Sequence, residues 1–191
     1  TAGTYTLTFT ANAGALSSAA STALVLGSGA GTQLTYSVQP ASPVNGAALV
    51  TQPALLLRDV SSNPVGGATI TATITGAPAG VSLVGTATAT TNAVTGIATF
   101  SGLGLSGTVG TYTLTFTANG GALSSVASNP LVLVAGAPTQ GTLTTQPPAT
   151  AASGVLFTQI PQVQLRDAAG NPVSQGGTTI DVIVGTGAAA T

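Results

Sequence analysis

Nine residues of this chain occur twice. Thr4-Tyr5-Thr6-Leu7-Thr8-Phe9-Thr10-Ala11-Asn12 reappears unchanged at 111–119, a separation of 107 positions (111 − 4). Gly14-Ala15-Leu16-Ser17-Ser18 recurs at 121–125 and Gln39-Pro40 as Gln146-Pro147, with the same separation. Leu57-Arg58-Asp59 returns as Leu165-Arg166-Asp167, and Asn63-Pro64-Val65 as Asn171-Pro172-Val173, at 108 (165 − 57). Gly66-Gly67 aligns with Gly176-Gly177 at 110 (176 − 66), so the later copy has two extra residues in that turn. Solenoid repeats run to roughly 20–50 residues. A period near 107 is the size of a small domain, so the repeating object is a domain.

The period divides the chain into three. Residues 32–138 make one complete unit, 1–31 match only its end, and 139–191 match only its beginning. The reading favoured here is an excerpt from a longer tandem array. A polymer in which one molecule completes the next is the alternative. Joining the two partial pieces leaves out the counterpart of 82–107, which is expected to hold two strands.

Secondary structure reads as β throughout. The chain has 26 Gly and 11 Pro, and such punctuation leaves little room for helices. Period-two alternation marks strands. In 111–117, Tyr112, Leu114 and Phe116 share one face and four Thr the other. In 68–75, Ile70, Ala72 and Ile74 oppose Thr69, Thr71, Thr73 and Thr75. Segments 54–58, 86–91, 97–103, 131–134 and 162–166 read as further strands. Turn signals fall between them at Ser62-Asn63-Pro64, Gly76-Ala77-Pro78, Thr91-Asn92 and Ala118-Asn119-Gly120-Gly121. About seven short strands per period suit an immunoglobulin-like sandwich. Tyr5 and Tyr112 each open a strand just after a turn, where a hydroxyl anchors the corner between two strands. An ordinary core aromatic is the other reading of that position.

The run Arg58-Asp59-Val60-Ser61-Ser62-Asn63-Pro64-Val65-Gly66-Gly67-Ala68-Thr69-Ile70 resembles tandem bacterial Ig-like repeats of surface adhesins and extracellular fibres. Thr91-Asn92-Ala93-Val94-Thr95-Gly96-Ile97-Ala98-Thr99-Phe100 and Gly110-Thr111-Tyr112-Thr113-Leu114 share the resemblance, which covers essentially the whole chain. It implies an all-β fold of tandem immunoglobulin-like β-sandwich repeats of about 107–110 residues, exported to a bacterial cell surface or beyond. The chain departs from that pattern in being 3% charged.

Composition removes most chemistry. The sequence holds three Asp, two Arg and no His, Lys, Glu or Cys, with a net charge of −1. Ser and Thr nucleophiles have no base to activate them, so no enzyme is expected. Two cations cannot neutralise a nucleic-acid backbone. No apolar run reaches the ~20 residues of a membrane helix, and no signal peptide is visible. Four of the five charges lie in Arg58-Asp59 and Arg166-Asp167. Asp59 with Asn63, and Asp167 with Asn171, are weak calcium candidates, since calcium takes six to eight oxygens. The stronger reading makes Tyr5, Tyr112, Arg58, Asp59, Arg166 and Asp167 structural, each Asp accepting backbone N–H groups of its own turn. Asp181 aligns with Thr71 on an outward, solvated face. The threonine faces suit O-glycans, ice or a polysaccharide, or they reflect the strand preference of a β-branched residue.

Soluble β-proteins guard their sheet edges with lysines and inward charges. This chain has almost none, and net charge near zero favours association. Leu56 and Ile183 are expected to point outward and are interface candidates. The expectation is a structural extracellular protein without cofactor, a repeat of a bacterial fibre or sheath whose partners are other copies of itself. The alternative is a spacer within a large adhesin whose binding tip, gripping a surface or glycan, lies elsewhere.

Overall fold

Alternating Thr and apolar residues build the longest strands of the computed structural model. It describes residues 1–11, 17–41, 43–75, 80–119, 123 and 126–185. The chain divides into two units, Thr1–Gly136 and Ala137–Thr191. The protein is all-β, with multiple antiparallel sheets. No helix of the described residues is long and apolar enough to cross a membrane.

The first unit opens with β1 (Gly3–Tyr5), β2 (Thr8–Phe9), β3 (Ala19–Ala20) and β4 (Leu24–Leu26). These form two small ladders, β1 with β4 and β2 with β3. Next come β5 (Gly31–Val38), β6 (Ala54–Asp59), β7 (Thr69–Thr75), β8 (Val81–Val84) and β9 (Thr88–Thr90). The unit ends with β10 (Ile97–Thr99), β11 (Gly104–Gly107), β12 (Gly110–Ala118), β13 (Val126–Ala127) and β14 (Leu131–Leu133). One sheet runs β10-β6-β5; a second runs β13-β12-β7-β9, with β14 also on β12. A two-stranded ladder of β8 and β11 completes the set.

The two larger sheets enclose one core. Leu55 and Leu57 of β6, Ile70 and Ala72 of β7, and Tyr112, Leu114 and Phe116 of β12 are buried in a single cluster with Phe100, Leu103 and Leu105. The period-two pattern is the cause: every second side chain of β12 enters the core while its threonines line the other face. Phe116 lies edge-on to Tyr36 at 5.7 Å and to Phe100 at 5.1 Å between ring centres, the geometry aromatic quadrupoles favour.

The expectation of two strands in 82–107 is corrected. The segment holds β9, β10, β11 and most of β8. Its strands are short and rich in Gly, Ala and Thr, so alternation alone does not separate them. The run 97–103 is likewise a strand only as far as Thr99; beyond it Gln52 cross-braces Leu103, accepting from its N–H and donating to its carbonyl, both at 3.0 Å. The Gly76-Ala77-Pro78 turn lies outside the described residues.

The second unit pairs β15 (Gln140–Thr145) with β16 (Gln162–Arg166). Thr142 lies opposite Gln164 and Leu143 opposite Val163. In the first unit Thr35 lies opposite Leu56 and Tyr36 opposite Leu55, the equivalent register. Both ladders carry an irregularity one step later, before Val38 and before Thr145. The aligned positions 179–185, the counterparts of β7, lie in no strand.

Candidate functional site

The Asp-Asn turn is built from its own backbone outward. The Asp59 N–H donates to the Asn63 carbonyl and the Ser62 N–H to the Asp59 carbonyl, both at 3.0 Å. The Asp59 carboxylate fills the turn. Its Oδ1 accepts the N–H groups of Ser61 (2.9 Å) and Asn63 (2.8 Å), and its Oδ2 accepts the Asn63 side-chain amide at 2.8 Å. Arg58 closes the outside, donating from Nη1 to the Ser62 carbonyl. Asp59 and Asn63 are both buried.

The second copy repeats this arrangement. Asp167 Oδ1 accepts the N–H groups of Ala169 (3.0 Å) and Asn171 (2.9 Å), and Oδ2 accepts the Asn171 amide at 2.9 Å. Arg166 Nη1 donates to the Gly170 carbonyl at 2.7 Å. Gly170 takes a φ of 81° and its counterpart Ser62 a φ of 64°. That left-handed conformation is natural for glycine and strained for serine.

Two further donors reach the first turn from distant chain. Gly29 N–H donates to Asp59 Oδ2 at 2.8 Å, and Ala2 N–H donates to Asn63 Oδ1 at 2.8 Å. Both donors belong to 1–31, the partial copy that precedes residues 32–138. The turn thus holds its own loop and also clasps both ends of the preceding hairpin. The Asn63 amide, then Gly29 N–H and the other backbone donors, hold the Asp59 carboxyl below its usual range, at about 2.

In the first turn the groups named as calcium candidates are engaged by N–H donors. Both Asp59 oxygens accept N–H donors, Asn63 turns its NH2 toward the carboxylate, and its oxygen is engaged by Ala2. A cation needs oxygens facing it. No group of three or more His, Cys, Asp or Glu side chains suited to a metal occurs among the described residues.

The tyrosines sit in matching corners. Tyr112 Oη donates to the Thr108 carbonyl and Tyr5 Oη to the Thr1 carbonyl, each at 2.6 Å and four residues upstream. Ser128 Oγ accepts the Leu114 N–H and Ser21 Oγ the Leu7 N–H, each at 3.0 Å. Gly3 pairs with Leu26 as Gly110 pairs with Leu133, and Phe9 with Ala19 as Phe116 with Val126. These local pairings are therefore the same in the two copies, although β12 is continuous where its counterpart is broken between β1 and β2, and burial is not the same. Phe116 and Leu114 are fully buried, whereas Phe9 is 62% and Leu7 49% exposed.

The second unit also presents apolar surface. Leu143, Phe157, Pro161, Val163, Ile180 and Val182 line an open groove of about 550 Å³. By the sequence offsets these positions correspond to Tyr36, Leu49, Pro53, Leu55, Ile70 and Ala72, which surround the core of the complete copy.

Leu56 is half-buried on the face away from the core, where alternation puts it, opposite Thr35 and Ile97 in its sheet. Ile183 is 89% exposed, but off any strand, so alternation does not assign it a face. Asp181 is exposed in the same segment. The threonine face of β7 and β12 is tied together by Thr75 Oγ1 and Thr115 Oγ1 at 2.8 Å. Gly29 and Ala2 were not legible as site residues, because backbone N–H donors leave no side-chain signature.

Comparison of the chain with protein-family models, with curated proteins and with solved structures finds no match in any of the three.

Proposed function

We propose that this chain is a structural extracellular protein, a repeat of a bacterial surface fibre or sheath built from Ig-like domains that pack on neighbouring copies. The observation that carries this reading is the Asp59–Asn63 turn. The carboxylate of the first of the chain's two Arg-Asp pairs accepts N–H groups from its own loop and from the preceding partial copy, which supports a holding role. An exterior rich in threonine, with hardly any charge, suits lateral contact with identical surfaces.

A stalk within a larger adhesin is the second reading. The clasp on Ala2 and Gly29 favours it, because a short, hydrogen-bonded junction transmits reach better than a loose linker. Electron microscopy of the native material separates the two. Regular filaments or sheets made of this protein support the fibre. Isolated arrays tethered to a cell and ending in a distinct domain support the stalk and overturn the fibre.

A further inference from the structure

The residues that join the first, partial copy to the complete one have the composition of a loose spacer. β4 ends at Leu26 and β5 begins at Gly31, and Gly27, Ser28, Gly29 and Ala30 run between them. Gly- and Ser-rich segments behave as flexible coil when nothing holds them. Here the chain is held. Gly29 N–H donates to Asp59 Oδ2 at 2.8 Å. Two positions on, Gly31 lies opposite the same Asp59 in the β5–β6 ladder. A Cβ at Gly31 would stand 2.9 Å from the Leu57 side chain, so the strand that receives the linker lies close against β6.

The other strand of the hairpin is gripped as well. Ala2 adjoins Gly3, which pairs with Leu26 in the β1–β4 ladder, and its N–H donates to Asn63 Oδ1 at 2.8 Å. One anchor permits rotation about itself; two anchors on paired strands remove that freedom. Both acceptors are fixed in their turn, since Asp59 and Asn63 are buried and bonded to each other. A hydrogen bond to a carboxylate is roughly twice as strong as a neutral one.

We infer that residues 27–30 form a fixed joint and not a hinge: the Asp59–Asn63 turn is a docking surface for the foot of the preceding repeat, holds it at Gly29 and Ala2 in one orientation, and is stabilised by it in return. This rests on the tandem-array reading above and adds how one member is set on the next. Stability then passes from a repeat to its neighbour, as nearest-neighbour coupling does in other arrays.

The test uses the full 191-residue chain. Backbone amide relaxation in NMR reads the joint directly: Gly29 should show an order parameter near the ~0.85 of rigid backbone, whereas a free linker falls below about 0.6. Two substitutions then separate the N–H from the side chain. Gly29→Pro removes the donor. Gly29→Ala keeps it, its Cβ coming to an ordinary 3.6 Å from Asp59 Oδ2. Fluorotyrosine signals at Tyr36 and Tyr112 follow urea unfolding of the complete copy. Gly29→Pro should lower its folding equilibrium constant at least about tenfold, the worth of a hydrogen bond to a charged group. Gly29→Ala should not lower it.

A double-mutant cycle assigns the loss to the turn. Asp59→Asn leaves one oxygen for the loop N–H groups and puts an amide nitrogen, which cannot accept, where Gly29 donates. In that background Gly29→Pro should cost less than about twofold. The joint is overturned by a mobile Gly29, by equal losses from Gly29→Pro and Gly29→Ala, or by the same Gly29→Pro loss in both backgrounds. The relaxation measurement is made on the unaltered chain and decides the matter even where a variant does not fold. A mobile Gly29 alongside native arrays of this protein would sink the joint alone and leave the array reading standing.

Discussion

The Asn63 side chain bridges two loyalties: its Nδ2 donates to Asp59 Oδ2 at 2.8 Å, while its Oδ1 accepts the N–H of Ala2, also at 2.8 Å. A single amide thereby couples the shape of a turn to the docking of a hairpin sixty-one positions earlier in the chain. Asp59 does the same through Gly29. Loop and junction should weaken together when either side chain is changed.

Acid is the cleanest probe of that coupling. The folded carboxyl of Asp59 titrates at about 2, below the ~3.9 of an unfolded chain. A depressed pKa contributes stability that is complete above the unfolded value and lost as pH falls through the folded one. Urea midpoints of the first unit should therefore hold steady from about pH 5 to 7, where the side-chain types present do not ordinarily titrate, and fall between about pH 4 and 2. Asp59→Asn should make that acid slope shallower, and Asp59→Ala should destabilise more than Asp59→Asn. An unchanged slope would show that the carboxylate is not held as described.

Ser62 and Gly170 hold the same left-handed position in the two turns. Releasing a serine from that region recovers part of the ~1–2 kcal/mol it costs, offset by the greater freedom of glycine when unfolded. Ser62→Gly should raise stability by about 0.5–1 kcal/mol. Gly170→Ala should lower it by about 1 kcal/mol. Denaturant titration of both variants checks the sign at each site.

Two core tyrosines should respond in opposite directions to loss of their hydroxyls. Tyr112 Oη donates to the Thr108 carbonyl, so Tyr112→Phe should cost about 1 kcal/mol. Tyr36 Oη is buried with no protein partner among the described residues, and burial pushes its pKa above the ordinary phenol range. Tyr36→Phe removes a desolvated group and should stabilise by about 1 kcal/mol. Calorimetric midpoints that move the same way for both would contradict this assignment.

Phe9 and Phe116 occupy identical sequence, yet their truncation should cost very different amounts. Phe116→Ala opens a cavity in a filled core and should cost about 3–5 kcal/mol. Phe9→Ala, made in dilute monomer, should stay within about 0.5 kcal/mol. Urea unfolding at low protein concentration makes the comparison.

Much of this is legible in the sequence. The faces of β7 and β12 follow from strict alternation, because a strand turns every second side chain to one side. The Arg-Asp-x-x-x-Asn-Pro spacing announces a turn whose Asp reaches its own backbone. The four strands between 81 and 107 were harder to read. They are short, small-residued and bounded by glycines, and Gln52 and Asn45 join their loops to distant backbone through contacts that no local pattern encodes.

The residues by themselves determined the strand class, the repeat, the corner tyrosines and the turn, since each depends on neighbours within a few positions. Only the tertiary structure decided what those elements touch. Tyr5, Leu7 and Phe9 keep the local pairings of Tyr112, Leu114 and Phe116 but not their burial. Removal from water is a property of the opposing surface, and a strand cannot carry that surface in its own sequence.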